Sequence, residues 1–377
     1  MTATTPTPPA PPAPDLPHRP RVLPGLPVLR RMPGETQIGT DPRHAVVVID
    51  VAEPLALVLQ CLDGRHTSDE LLARAGPDHR PNLRGIIAGL ADLGLLDDAA
   101  SPDQQPARNL ARLTADRTMW MLRAGRQHSA IGRLREQAIV VVHGSGRIAV
   151  AVATLLAASG VGWVHTVADG VVQPEDIGSG YLDEDIGHAR SEAAERAVRR
   201  IALSSTRTTR PDPRQRPDLV LITDATVADP RLSSSLSAAE IPHMMVHAAE
   251  GTGVVGPLVV PGRTSCLRCV DLHNTDTDPC WPALAAQLAA HPQPADLASA
   301  QATSAFAAGQ ALRFLHGTAT GDGDLPVWGA AVTIDVFTGR CDRVEWRPHT
   351  ACSCGVAAAT AETRPGDDPR AATVSQD

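Results

Sequence analysis

The sequence predicts an α/β protein: a doubly wound, Rossmann-like parallel sheet with a C-terminal hairpin and a cysteine knuckle, preceded by a small winged-helix-like domain. Three observations predict it. Between residues 137 and 249 apolar strand-like runs alternate with helix-like stretches, and alternation at this interval argues for a parallel sheet with helices on both faces. A glycine motif, "GSGRIA", follows the first of those runs and opens a helix. Two cysteine pairs, "CLRC" and "CSC", stand 83 residues apart, counted from Cys269 to Cys352.

The elements follow in chain order. Residues 1–24 carry proline too densely for a persistent helix or central strand and read as a disordered tail. In residues 25–98, "ETQIGTD" and "HAVVVID" read as short strands around a turn at Asp41-Pro42. Three helices then follow, in "EPLALVLQCL", "TSDELLARA" and "NLRGIIAGLADLG". Thr67 is placed to cap the second, with Glu70 three residues on, and Gly94 closes the third. With the final "LLDD" this is a winged-helix-like plan, whose plain alternative is a small packing domain. Residues 99–136, polar and arginine-rich, read as a helical bridge.

Beyond the bridge, residues 137–355 predict strand 138–142, helix 147–158, strand 162–168, helix 188–203, strand 219–223, a helix near 232–239 and strand 243–248. A long helix in "ADLASAQATSAFAAGQALRFLHG" then precedes a hairpin turning at Thr338-Gly339. Residues 356–377 return to a polar, proline-punctuated tail. A formal net charge of −8 and 2% aromatic residues give neither the basic footprint nor the stacking platforms of a nucleic-acid binder. The N-terminus lacks a signal-peptide pattern, and no apolar run reaches the roughly 18 residues of a membrane span. The expected location is cytoplasmic.

In "GSGRIA", Gly144, Gly146 and Ala149 match the spacing that lets a backbone approach phosphate at a helix N-terminus. Asp169, 23 residues past Gly146, ends the next strand, where a carboxylate can accept from ribose hydroxyls. The bland reading is that the glycines serve close helix–sheet packing and that Asp169 caps a turn. Asp224, at the end of "LVLIT", is equally a Mg²⁺ ligand beside a triphosphate or a turn aspartate. Cys266, Cys269, Cys352 and Cys354 suit a closed, tetrahedral, structural Zn²⁺ site, the zinc knuckle of the predicted fold. Cys280 is left as a spare ligand or an attacking thiol.

The glycine motif, Asp169, Asp224 and "GVVGPLVVPGRTSCLRC" with its distant cysteine pair resemble the ThiF/MoeB branch of the ubiquitin-activating-enzyme superfamily over about residues 137–355. The resemblance implies a MgATP-binding adenylyltransferase fold that activates a carboxylate of a small carrier protein or peptide, usually as a homodimer with structural zinc. The N-terminal part resembles the leader-peptide recognition domains of ribosomal-peptide (thiazole/oxazole) biosynthesis. That likeness implies strand addition of a precursor peptide near "ETQIGTD", beside the third helix. Aligned on the family's phosphate-binding segment, "VVQPEDIGSGYLDEDIGHAR" puts Ser179 where the family has Arg and Arg190 where it has Lys. Every basic residue here is arginine, so genome bias accounts for Arg190 and not for Ser179.

Two functions compete on this reading. In the first, the protein holds a precursor peptide for a partner modification enzyme, with adenylation weak or lost. In the second, it is an active ATP-dependent adenylyltransferase, with Arg190 or a dimer partner's arginine supplying charge. An NAD-dependent oxidoreductase would rest on the glycines alone and leave both cysteine pairs unexplained.

Overall fold

The structure, a computed structural model, describes residues 16–100, 107–124, 131–289, 291–292, 294–317, 325–354 and 356. The chain divides into two units, Met1–Gly132 and Arg133–Asp377. Most of both expected tails lies outside the described residues.

The first unit opens with β1 (Pro20–Val22), β2 (Val28–Met32), β3 (Glu35–Ile38) and β4 (Val46–Val48). Helices α1 (Glu53–Leu59), α2 (Ser68–Ala75) and α3 (Arg80–Asp92), strand β5 (Leu96–Asp98), and helices α4 (Ala107–Arg112) and α5 (Thr114–Ala124) follow. Its core gathers Ile38, Leu55, Leu59, Leu71, Leu83 and Ile87, each fully buried. The capping box forms as the sequence predicts: Thr67 Oγ1 accepts from the Glu70 N–H at 3.2 Å, and Glu70 accepts from the Thr67 N–H at 2.8 Å.

Two expectations change here. The tail is shorter than residues 1–24, because β1 pairs antiparallel with β5 and Leu23 beside it is fully buried. Strand β3, the "ETQI" of the predicted docking edge, is the middle of a three-stranded sheet, flanked by β2 and β4. Its ladder is therefore satisfied on both sides, and among the described residues the outer strands with a free edge are β2 and β4.

Helix α6 (Ile131–Gln137) spans the boundary, and the second unit then runs β6 (Ile139–His143), α7 (Arg147–Ala158), β7 (Trp163–Val167), α8 (Arg190–Ile201), β8 (Leu219–Thr223), α9 (Pro230–Ala238) and β9 (His243–Ala249). It continues through β10 (Thr252–Val259), α10 (Leu267–Thr277), α11 (Trp281–Leu288), α12 (Leu297–Gly317), β11 (Ala330–Asp335) and β12 (Arg340–Glu345). The seven strands form one sheet in the order β12-β11-β10-β9-β8-β6-β7.

β7, β6, β8 and β9 are parallel, whereas β10, β11 and β12 extend the sheet antiparallel. The change of direction comes from a tight turn after β9, where Glu250 and Gly251 both take positive φ, 54° and 78°, the geometry of a hairpin rather than a helical crossover. The predicted C-terminal hairpin is thus a continuation of the sheet. α7 packs against α8, and α12 packs against α7 and across β9 and β10. Chain order reverses at β6, whose neighbours are β7 and β8, so the crevice of the fold opens beyond the C-terminal ends of β6 and β8. No helix among the described residues is long and apolar enough to cross a membrane.

Candidate functional site

The crevice brings Gly144, Gly146 and Asp224 together, although Asp224 lies 78 residues past Gly146 in the chain. Asp224 is 5% exposed and takes a left-handed backbone, φ 70°. Its Oδ2 accepts from the Ser145 N–H at 2.8 Å, the Gly146 N–H at 2.9 Å and Thr223 Oγ1 at 3.0 Å. Gly146 is the N-cap of α7, so the protein's own carboxylate sits on N–H groups at a helix N-terminus, where anions are favoured. Burial drives the Asp224 carboxyl above its ordinary value, against the lowering effect of those donors.

Gly144 is required by this contact, and a side chain at Gly146 would crowd it. A Cβ on Gly144 (φ 152°) would stand 1.9 Å from Thr223 Oγ1 and 2.5 Å from Asp224 Oδ2, and one on Gly146 would stand 3.1 Å from Asp224 Oδ1. Spacing alone showed that something approaches this backbone closely. The structure shows that the Asp224 carboxylate does.

Asp169 is exposed at the end of β7, and its backbone N–H donates to Ser145 Oγ at 3.0 Å. Arg190, at the start of α8, gives Nε and Nη2 to Asp176 Oδ2 at 3.0 and 2.7 Å, with Nη1 reaching the Asp169 carbonyl at 3.5 Å. Its charge is therefore balanced by a carboxylate that is itself 6% exposed. Ser179 is 7% exposed and accepts from Gln301 Nε2 at 3.3 Å.

Two residues of this region escaped the sequence reading. Arg147, inside the glycine motif, donates to the Ile177 and Ala295 carbonyls at 3.1 and 2.9 Å, tying the segment before α8 and the approach to α12 to the first turn of α7. Tyr181, the chain's one tyrosine, is 1% exposed and donates to the Ser145 carbonyl at 3.2 Å. Burial, reinforced by the nearby Asp176 and Asp224 charges, pushes its hydroxyl far above the usual phenol range. The singularity of that tyrosine was the only available signal.

The cysteines assemble as four. Cys266 is the N-cap of α10 and Cys269 stands in its first turn, while the chain after β12 returns Cys352 and Cys354. Sγ–Sγ distances are 3.8 Å for Cys266–Cys269, 3.5 Å for Cys266–Cys352 and 3.7 Å for Cys269–Cys354, and all four lie within 4.8 Å of one another. A tetrahedral ion with metal–sulfur bonds of about 2.3 Å needs sulfurs about 3.8 Å apart, so the four residues fit a metal ion. Burial raises the Cys266 thiol, and it pushes Cys269 up to about 11. Burial also raises Cys352, but hydrogen bonds led by the Cys354 backbone N–H outweigh it and leave that thiol lowered. Cys280 is exposed at the N-cap of α11 and stands apart from the four.

A second device holds the returning chain to α10. His349 Nε2 meets Asp276 Oδ2 at 2.8 Å, its Nδ1 accepts from the Ala351 N–H at 3.1 Å, and His273 Nε2 meets the Arg347 carbonyl at 2.9 Å. The Ala351 donor leaves Nε2 as the protonated nitrogen, which donates to the carboxylate. Three residues grouped like metal ligands are thereby committed to hydrogen bonds that brace the "CSC" loop.

Fold and site together define a dinucleotide-type α/β protein closed by a four-cysteine knuckle. The chain belongs to the ThiF family, whose profile matches residues 125–356. Its fold is that of solved structures of low sequence identity. E. coli MccB crystallised with ATP aligns at a TM-score of 0.64 and 13% identity, over 89% of this chain and 99% of that one. The microcin C7 biosynthetic enzyme MccB in complex with N-formylated MccA aligns at 0.62 and 13%, over 89% and 99%. PaaA aligns at 0.62 and 18%, over 85% and 98%. A search of curated proteins finds no sequence match.

Proposed function

We propose that this ThiF-family protein captures a precursor peptide and presents it to a partner modification enzyme, with its own adenylation chemistry weak or lost. One observation carries the reading: the Asp224 carboxylate occupies the N–H groups of Ser145 and Gly146 that a nucleotide phosphate would need. The cations that adenylation would direct at a departing pyrophosphate point the same way, since Arg190 is bound to Asp176 and Ser179 stands where the family resemblance implies an arginine. Removing one such preorganised donor typically costs about 3–4 kcal/mol of barrier.

Peptide capture falls to residues 25–98, read as a winged-helix-like module, through the free edges of β2 and β4, where main-chain pairing supplies affinity. MccB, crystallised with MccA, supports this assignment by its fold. The four cysteines hold one structural Zn²⁺: Cys266, Cys269, Cys352 and Cys354 each give a thiolate, and the ion would fasten the end of the chain to α10. The second reading, an adenylyltransferase working with MgATP as a homodimer, is favoured by the MccB structure that contains ATP. It would place the phosphates at Gly144 and Gly146, the ribose at Asp169, and Mg²⁺ at Asp224.

ATP–pyrophosphate exchange with precursor peptides encoded nearby separates the two. Exchange no faster than a no-protein control, together with NMR shifts of β2 or β4 on adding leader peptide, supports peptide capture without adenylation. Rapid exchange transfers the assignment to the enzyme.

A further inference from the structure

Strand β12 ends the seven-stranded sheet, with β11 on one side and no strand on the other among the described residues. All six of its residues are exposed. A bare edge of this kind invites another strand, and charged side chains are the usual guard against one. Arg340, Asp342, Arg343 and Glu345 are charged. Whether they repel a second copy of the same strand depends on register, and geometry restricts the registers.

The Trp346 N–H donates to the Gly329 carbonyl at 2.8 Å, one step beyond the Ala330↔Glu345 pair of the β11–β12 ladder. Main-chain groups alternate between the two edges of a strand, so those of Cys341, Arg343 and Glu345 point away from β11. A second β12 can join that edge antiparallel, about a two-fold axis normal to the sheet. Such an axis keeps every side chain on its own face and therefore sets one residue opposite itself. Centred on Arg340, Asp342, Arg343 or Glu345, the pairing brings a charge against its own copy, which destabilises it. A centre at Cys341 runs into the turn at 336–339. Val344 remains.

Centred there, the register is complementary. Val344 meets its own copy in a non-hydrogen-bonded pair, the closer kind, and the contact would cover a valine that is 44% exposed. Arg343 lies opposite Glu345 of the second copy and exchanges both main-chain hydrogen bonds with it, and the two-fold axis repeats the pair. Within one chain Arg343 Nη1 already meets Glu345 Oε1 at 2.5 Å. Two copies would thus assemble four charges, each next to its opposite.

We propose that β12 is a self-recognition edge that pairs antiparallel with β12 of a second copy of this chain, in the register centred on Val344. The contact would join the two sheets into one. It lies at the end of the sheet away from β6 and β7, so it depends on neither reading of the crevice.

Sedimentation velocity of the full-length protein over a dilution series should show a reversible monomer–dimer equilibrium. Arg343→Glu and Glu345→Arg each set like charges opposite one another twice per dimer and should weaken self-association at least about tenfold, or about 1.4 kcal/mol. Mixed in equal amounts, the two variants regain both attractive pairs, so the mixture should dimerise as the unmodified protein does. A misfolded variant would not be rescued in this way. Val344→Cys in a Cys341→Ser background should cross-link as a dimer on mild oxidation, because a non-hydrogen-bonded pair brings Cβ atoms near disulfide range. In the unmodified protein Cys341 would lie opposite Arg347 of the second copy and should form no cross-link. A monomer at every concentration, single variants that associate as well as the unmodified protein, a mixture no tighter than its components, or a cross-link through Cys341 refutes the contact.

Discussion

Replacing Asp224 by glycine tests the blocked cradle directly. Glycine accepts the φ of 70° without strain, so the change removes the carboxylate and leaves the backbone free to stay. The lost hydrogen bonds come from Ser145 N–H, Gly146 N–H and Thr223 Oγ1. At about 1.5 kcal/mol each for a charged acceptor they amount to about 4–5 kcal/mol. Relief of the buried charge offsets roughly half, leaving Asp224→Gly about 2 kcal/mol less stable and lowering Tm by about 4–8 °C. The vacated N–H groups then face an open anion site. Pyrophosphate at about 100 times its dissociation constant would restore about 2.7 kcal/mol, whereas the unmodified protein should show no thermal shift. Differential scanning fluorimetry with and without pyrophosphate reads both effects. A pyrophosphate shift in the unmodified protein as large as in the variant refutes the blockage, and loss of a measurable MgATP response on Asp224→Gly identifies Asp224 as a magnesium ligand instead.

Three further outcomes follow from the same contacts. Because burial raises the Asp224 carboxyl above its ordinary 3.8, its contribution to stability is complete below that value and declines as pH rises through the folded one. Denaturation of the unmodified protein and Asp224→Asn from about pH 3 to 7 should therefore show the unmodified protein losing ground as pH rises, and a constant difference would contradict this. Elemental analysis should find one zinc per chain; Cys354→Ser or a strong chelator should release it and lower Tm by more than 10 °C, since structural zinc is worth about 10–16 kcal/mol in small peptides. Thr67→Ala removes the cap of α2 and should cost about 1 kcal/mol by urea denaturation of the first unit, with no effect on zinc content.

What was legible in the sequence was local. Helix 147–158 and strand 219–223 appear to the residue, and the Thr67 box forms as spelled, because periodicity and capping act within one or two turns of chain. Strand β2 was missed since "VLRRM" places Leu29, Arg30, Arg31 and Met32 all on exposed positions, so no apolar–polar alternation marks it. β1 was hidden by Pro20, its first residue, and by the prolines around it. Its stability comes from β5, more than 70 residues away, and from Asp98, which accepts from the His18 and Arg19 N–H groups at 2.8 and 2.9 Å.

The functional region divides along the same line, with a further lesson about motifs. The four cysteines were readable because a ligand set names its own partners: two thiol pairs at ligand spacing point to each other, whatever the chain does between them. The glycine motif names only an absence of side chains. Gly144 and Gly146 state that something comes close, and the spacing is equally served by phosphate or by Asp224, whose place in the cradle depends on β8 lying beside β6. Likewise Arg190 is a phosphate clamp or half of an ion pair according to whether Asp176, fourteen residues earlier, turns toward it. In both cases the competitor is a carboxylate of the same chain. It needs no binding entropy to arrive, so a nucleotide can displace it only by offering more than those donors already receive. That intramolecular advantage is the physical ground for reading the cradle as self-occupied.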